Sequence, residues 1–163
     1  MPDIVQPDPK LDLVLERVVD IAPEKVWEAW TQPALLKQWF TPAPWQTLEC
    51  EIDLRPGGRF YTVMRGPEGP AFNNNGCYLE IVPNRRLVWT GALVAGYRPQ
   101  ANVGALPFLL TAVIELQPEG SGTRYTATGM HGDEASCRKH AQMGFISGWG
   151  RALDQLVALM KQQ

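Results

Sequence analysis

The sequence predicts an α+β domain in which a curved antiparallel β-sheet is wrapped around a long C-terminal helix. Three observations lead there. Short runs with period-two alternation recur between residues 11 and 131, separated by turn residues at hairpin spacing. Between the first and second runs lie two short helical segments, each opened by a proline. After residue 131 the pattern changes to a helical period and keeps it almost to the C-terminus. Strands joined by consecutive hairpins form an antiparallel sheet, and its apolar face needs a helix to cover it.

Each element has its own justification. Residues 1–10 carry three prolines and are expected to form a flexible arm, with residues 11–163 as a single domain. Leu11 to Val19 alternates and reads as a strand. Ala22-Pro23-Glu24 opens a helix, because proline suits the first turn and glutamate the positive end of the helix dipole. Val26, Trp27 and Trp30 give that helix an apolar face. Pro33 ends it and starts a second short helix to Trp39, followed by a rigid loop at Pro42 to Trp45. Leu48 to Leu54 alternates cleanly, with Leu48, Cys50, Ile52 and Leu54 expected inward. RPGGRF is a hairpin turn, and Phe60, Thr62 and Met64 then share a face.

Gly66 to Gly76 reads as a loop, and Cys77 to Val82 and Arg86 to Thr90 as two strands. Gly91 to Pro107 is poorly patterned and long for a hairpin, which suits a lid or an interaction loop. Phe108 to Leu116 and Arg124 to His131 complete the strands. Their parity sends Phe108, Leu110, Ala112 and Ile114 inward with Tyr125, Ala127, Gly129 and His131. Asp133 then caps a single helix running to about Met160, ~40 Å long at ~1.5 Å per residue.

Composition narrows the function. A net charge of −2 with no basic stripe gives no nucleic-acid footprint. No apolar stretch is long enough to span a bilayer; Val103 to Leu116 is the longest candidate. The N-terminus has prolines and acids where a secretory signal needs an apolar run. Three widely spaced cysteines, Cys50, Cys77 and Cys137, read as reduced thiols, and a cytoplasmic location is expected. No G-x-S-x-G elbow and no G-x-G-x-x-G after a strand is present, so neither a serine nucleophile nor a dinucleotide cofactor is expected. RPGG precedes a strand rather than a helix, which removes it as a phosphate loop.

The order of elements carries recognisable residues. They are Ala22-Pro23-x-x-Val26-Trp27, Pro33-x-x-Leu36-x-x-Trp39, Asp53-Leu54-Arg55-Pro56-Gly57-Gly58-Arg59-Phe60, Gly76 before Leu79-Glu80-Ile81, and Arg86-Leu87-Val88. The last is His140-x-x-Met143-Gly144-Phe145-x-x-Gly148-Trp149. With these the chain resembles the SRPBCC (START-like) superfamily and its helix-grip fold. Within it, the chain is similar to the Aha-type activators of the ninety-kilodalton heat-shock protein ATPase, in a bacterial, stand-alone form. The resemblance implies a deep apolar cavity between the sheet and the C-terminal helix, and no single activity.

The cavity directs attention to particular residues. Gly144 and Gly148 lie four apart and are expected on one helix face beside Phe145 and Trp149. They either leave space over a pocket or admit a bulky neighbour. Trp39, Phe40, Trp45, Phe60, Trp89, Phe108 and Phe145, with Met64, would suit a flat apolar ligand. His131 and His140 have three readings: a structural pair, hydrogen-bonding or acid–base groups in the pocket, or, with Cys137, metal ligands. The last lacks a recognisable zinc spacing, and no metal is expected. The candidate ligand-binding set is therefore Trp39, Phe40, Trp45, Phe60, Met64, Trp89, Phe108, His131, His140, Gly144, Phe145 and Trp149. The expected function is binding of a small hydrophobic or aromatic molecule. The alternatives are a cyclase- or hydrolase-like enzyme in the same cavity, or a protein-interaction module of co-chaperone type. An exposed edge strand or the Tyr97 loop leaves room for a homodimer.

Overall fold

Period-two patterning fixes which side chains meet across the sheet, because residues paired on neighbouring strands share a face. In the computed structural model, which describes residues 6–101 and 107–163, one such row runs through four strands. Leu15 pairs with Ala127, Ala127 with Ile114, and Ile114 with Leu87. All four are buried. The strands concerned are β1 (Asp12–Val19), β9 (Gly122–Met130), β8 (Thr111–Glu119) and β5 (Arg86–Thr90).

Three more complete the sheet: β4 (Phe72–Val82), β3 (Arg59–Arg65) and β2 (Gln46–Ile52), in the order β1-β9-β8-β5-β4-β3-β2. All pairs are antiparallel. Register shifts at Thr47/Glu49 and Tyr78/Glu80 add twist and help the sheet to curl.

The first two strands lie at opposite edges of this sheet. The connection between them, α1 (Pro23–Thr31) and α2 (Pro33–Leu36), therefore has to travel from one edge to the other. Its buried residues Val26, Ala29, Trp30 and Leu36 join the core together with Leu153, Leu156 and Met160 of α4 (Phe145–Lys161). This is the helix-grip arrangement expected from the sequence.

Several details differ from the sequence reading, among them α2, which ends at Leu36 rather than Trp39. The single long C-terminal helix is two helices, α3 (Glu134–Gln142) and α4. Asp133 caps α3 as expected, accepting from the Ser136 amide at 2.7 Å. Gly144, however, has φ +94°, a left-handed conformation that turns the chain before α4 begins. Apolar periodicity persists on both sides of the break, so periodicity alone hides it. Gly144 therefore does not share a helix face with Gly148.

Another difference is the 66–76 loop. Phe72 to Gly76 is strand, pairing Phe72 with Met64 and Gly76 with Phe60. Its three consecutive asparagines, Asn73 to Asn75, are turn-favouring residues and give no alternating pattern. The strand expected at Phe108 begins at Thr111. Leu54 lies beyond the end of β2 and is exposed.

In the 91–107 region, β6 (Leu93–Val94) pairs with β7 (Arg98–Pro99), and the Gly96 amide bonds Gly57 O at 2.8 Å. Residues 102–106 of the expected lid, and 1–5 of the expected arm, lie outside the described residues.

Candidate functional site

Between the concave face of the sheet and the helices lies a cavity of about 650 Å³. Its walls follow from the strand register. Phe60, Thr62 and Met64 on β3 face the same side as their partners Gly76, Asn74 and Phe72 on β4. Phe60 stacks on Tyr78 at 5.3 Å and meets Trp89 and Phe40 edge-on at 5.1 and 5.7 Å. Trp30 and Trp39 extend this cluster at 4.9 Å. Trp39 is tied down by its indole N–H, which donates to Ala29 O at 3.0 Å.

The loop carrying Trp39, Phe40 and Thr41 is held from α4. Gln155 donates through Nε2 to Trp39 O at 3.0 Å and to Thr41 O at 2.8 Å. Its Oε1 accepts from the Ala43 amide at 2.9 Å. One side chain thus satisfies three backbone groups of an irregular loop.

The opposite wall is built by α3 and α4. Phe145 lies at 5.1 Å from the His140 ring and 4.6 Å from Trp149. Phe108 covers His140 at 4.6 Å. His140 Nδ1 is hydrogen-bonded to His131 Nε2 at 2.9 Å, and His131 Nδ1 to Leu11 O at 2.7 Å. Burial, and then the neighbouring His131, bring the His140 pKa down to about 4. Burial also raises the Cys50 thiol to about 11, which keeps it protonated.

Of the twelve candidate residues, eleven line the cavity. His131 does not and stands one layer back, behind His140. Trp45 and Met143 both border the cavity and reach solvent, at 42% and 56% exposure, and so form part of its rim. Gly148 also borders the cavity, and a Cβ there would meet nothing within 4 Å.

The sequence reading missed several lining residues. Thr62 lies on the same strand face as Phe60 and Met64 and lines the cavity with them. Asn74 pairs with Thr62 and was lost when its strand was read as loop. Tyr125 was read as inward but not as a site residue; its hydroxyl accepts from Trp30 Nε1 at 3.2 Å. Gln100 reaches the site from the 91–107 region and had no pattern to reveal it.

The chemistry of the lining is one-sided. No Asp, Glu, Lys or Arg is found among the described lining residues. Among the described residues, no three His, Cys, Asp or Glu side chains stand together as a metal site. Trp89 Nε1 is buried with no hydrogen-bond partner among them. No helix among the described residues is long and apolar enough to cross a membrane.

Comparison with known proteins gives a family and a fold. The family model described as activator of Hsp90 ATPase homolog 1-like protein matches residues 20–161. A crystal structure of a protein from Nitrosomonas europaea is 52% identical, with 95% of this chain and 97% of that one covered and a TM-score of 0.89. A protein from Rhodobacter sphaeroides shares the fold at 22% identity, with 97% of each chain covered and a TM-score of 0.82. One from Mycobacterium smegmatis does so at 24% identity, over 92% of this chain and 90% of that one, with a TM-score of 0.75. No curated protein matches significantly.

Proposed function

The chain belongs to the activator of Hsp90 ATPase homolog 1-like family, and we propose that it binds a neutral, largely apolar small molecule in the cavity between sheet and helices. The observation that carries this reading is the lining itself: about 650 Å³ of space, walled by aromatic rings and free of charged side chains among the described residues. Burying an unpaired charge there would be costly, whereas apolar area gains from leaving water. The volume falls in the ordinary range for small-molecule sites.

The test is native mass spectrometry of the purified protein, intact and then denatured. The expected result is a co-purified compound that is released on unfolding and absent from a Gly148→Trp variant, whose new ring would occupy the space. A clean mass, together with no binding of any aromatic probe by calorimetry, would overturn the reading.

A second reading, turnover of a small apolar substrate in the same cavity, is favoured by the His131–His140 hydrogen bond. It requires His140 to reach a reacting proton. If a His131→Phe, His140→Phe double variant kept full turnover of an identified substrate, the pair would be excluded from that role.

A further inference from the structure

The two histidines form a chain whose proton positions can be counted. Leu11 O can only accept, so His131 Nδ1 must carry a hydrogen. With both rings neutral, His131 Nε2 is then an acceptor. The proton between the rings therefore sits on His140 Nδ1, and His140 Nε2 is left with a bare lone pair. No described group hydrogen-bonds that nitrogen, and no carboxylate hydrogen-bonds either ring; Asp133 acts on His131 only through space, its carboxylate being bonded to the Ser136 amide. Phe108 and Phe145 pack against the His140 ring and make charge there costly. His140 lines the cavity while His131 does not, so the free nitrogen belongs to the ring on the cavity side.

A lone acceptor among aromatic rings selects one kind of group. A carboxylate would set lone pair against lone pair, with no cation in the described lining to offset it. An amide would bring a carbonyl and a second N–H into an apolar corner. A hydroxyl on an aromatic ring brings one donor, and its ring would lie against the aromatic side chains that line the cavity beside His140. We propose that the cavity takes an aromatic alcohol or phenol whose hydroxyl donates to His140 Nε2, with His131 acting as a positioning residue that fixes the accepting tautomer. This rests on the cavity reading above.

The experiment compares 2-naphthol with 2-methoxynaphthalene by isothermal titration calorimetry. The two share an apolar body, and only the first can donate. The unmodified protein is expected to bind the naphthol about fivefold more tightly, the worth of one hydrogen bond, and His140→Phe to bind both equally. In the unmodified protein, the imidazole ¹⁵N resonance of His140 Nε2 should move with the naphthol and stay in place with the ether. That measurement needs no variant and keeps the test decisive if His140→Phe does not fold. Equal binding of both probes, or a preference that survives in His140→Phe, would overturn the hydroxyl assignment and leave the cavity reading standing. Failure of both probes to bind protein whose native mass shows no co-purified compound would take the cavity reading down with it.

Discussion

Residues 145–149 and residues 150–161 belong to the same helix but meet the sheet in different ways. In the rear part, Leu153, Leu156 and Met160 are buried in the core. Arg17 on β1 donates to Gly150 O and pairs with Asp154, and Lys161 pairs with Asp20. In the front part, Phe145 packs on β9, where a Cβ on Gly129 would lie 3.2 Å from its ring. Ile146 is exposed, and Gly148 faces open space. The rear is packed in the core along its length, whereas the front touches the sheet through Phe145 and otherwise borders the cavity or solvent. One amphipathic sequence supports both because a cavity wall and a core wall need the same apolar face.

The difference is tested most strongly by removing volume. Leu156 is fully buried at 0% exposure, so Leu156→Ala should cost about 3 kcal/mol of stability. Ile146→Ala in the front, at 56% exposure, should stay within about 0.5 kcal/mol of the unmodified protein. Urea denaturation midpoints check both. A comparable loss in the two variants would mean that the front is as tightly packed as the rear.

The second test uses pH. His140 would ordinarily titrate near 6.5, and in the folded protein it titrates near 4. The unfolded chain therefore takes up a proton that the folded chain refuses, and stability falls as pH drops from about 6.5 towards 4. The expected loss is about 2 kcal/mol, reduced from the full linkage value because the ring borders a cavity open to water. Denaturation at pH 7 and pH 4.5 should show this decline in the unmodified protein. A clearly smaller decline is expected in His140→Phe, and an equal one would remove His140 as its source.

Much of this difference was legible in the sequence. The inward parity of β8 and β9, the two proline-opened helices and the aromatic set could be read because each depends on local periodicity. The break at Gly144 could not, because a glycine in the left-handed region and a glycine within a helix look alike in a sequence. Asn74 and Gln100 were hidden for another reason. Polar residues enter a cavity through strand register and loop return, and neither is a local property. His131 and His140 were paired as candidates, but their order, one ring behind the other, depends on how α3 leaves β9.

The break itself gives the third prediction. Gly144 has φ +94°, which disfavours any side chain, so Gly144→Ala should cost about 1–2 kcal/mol. Gly150 is constrained differently. A Cβ there would lie 2.8 Å from Arg17 Nη2, the group that donates to Gly150 O. Gly150→Ala should therefore push the guanidinium away, and its effect should largely vanish in an Arg17→Ala background. Double-mutant analysis of denaturation curves separates the two cases, since Gly144→Ala should be indifferent to Arg17.

The smallest effect should also have the opposite sign. Gly148 lies inside α4, and a Cβ there meets nothing within 4 Å. Glycine in a helix interior is unfavourable relative to alanine by about 1 kcal/mol, so Gly148→Ala should raise stability by roughly that amount. If the position serves only packing, nothing is lost in exchange. If it keeps space for a ligand, the gain in stability should come with weaker binding, and Gly148→Leu should weaken binding further while the fold persists. Thermal denaturation and calorimetric titration of the same two variants read both sides of that exchange. A more stable protein with unchanged affinity would assign Gly148 to packing and shift the ligand towards the sheet wall.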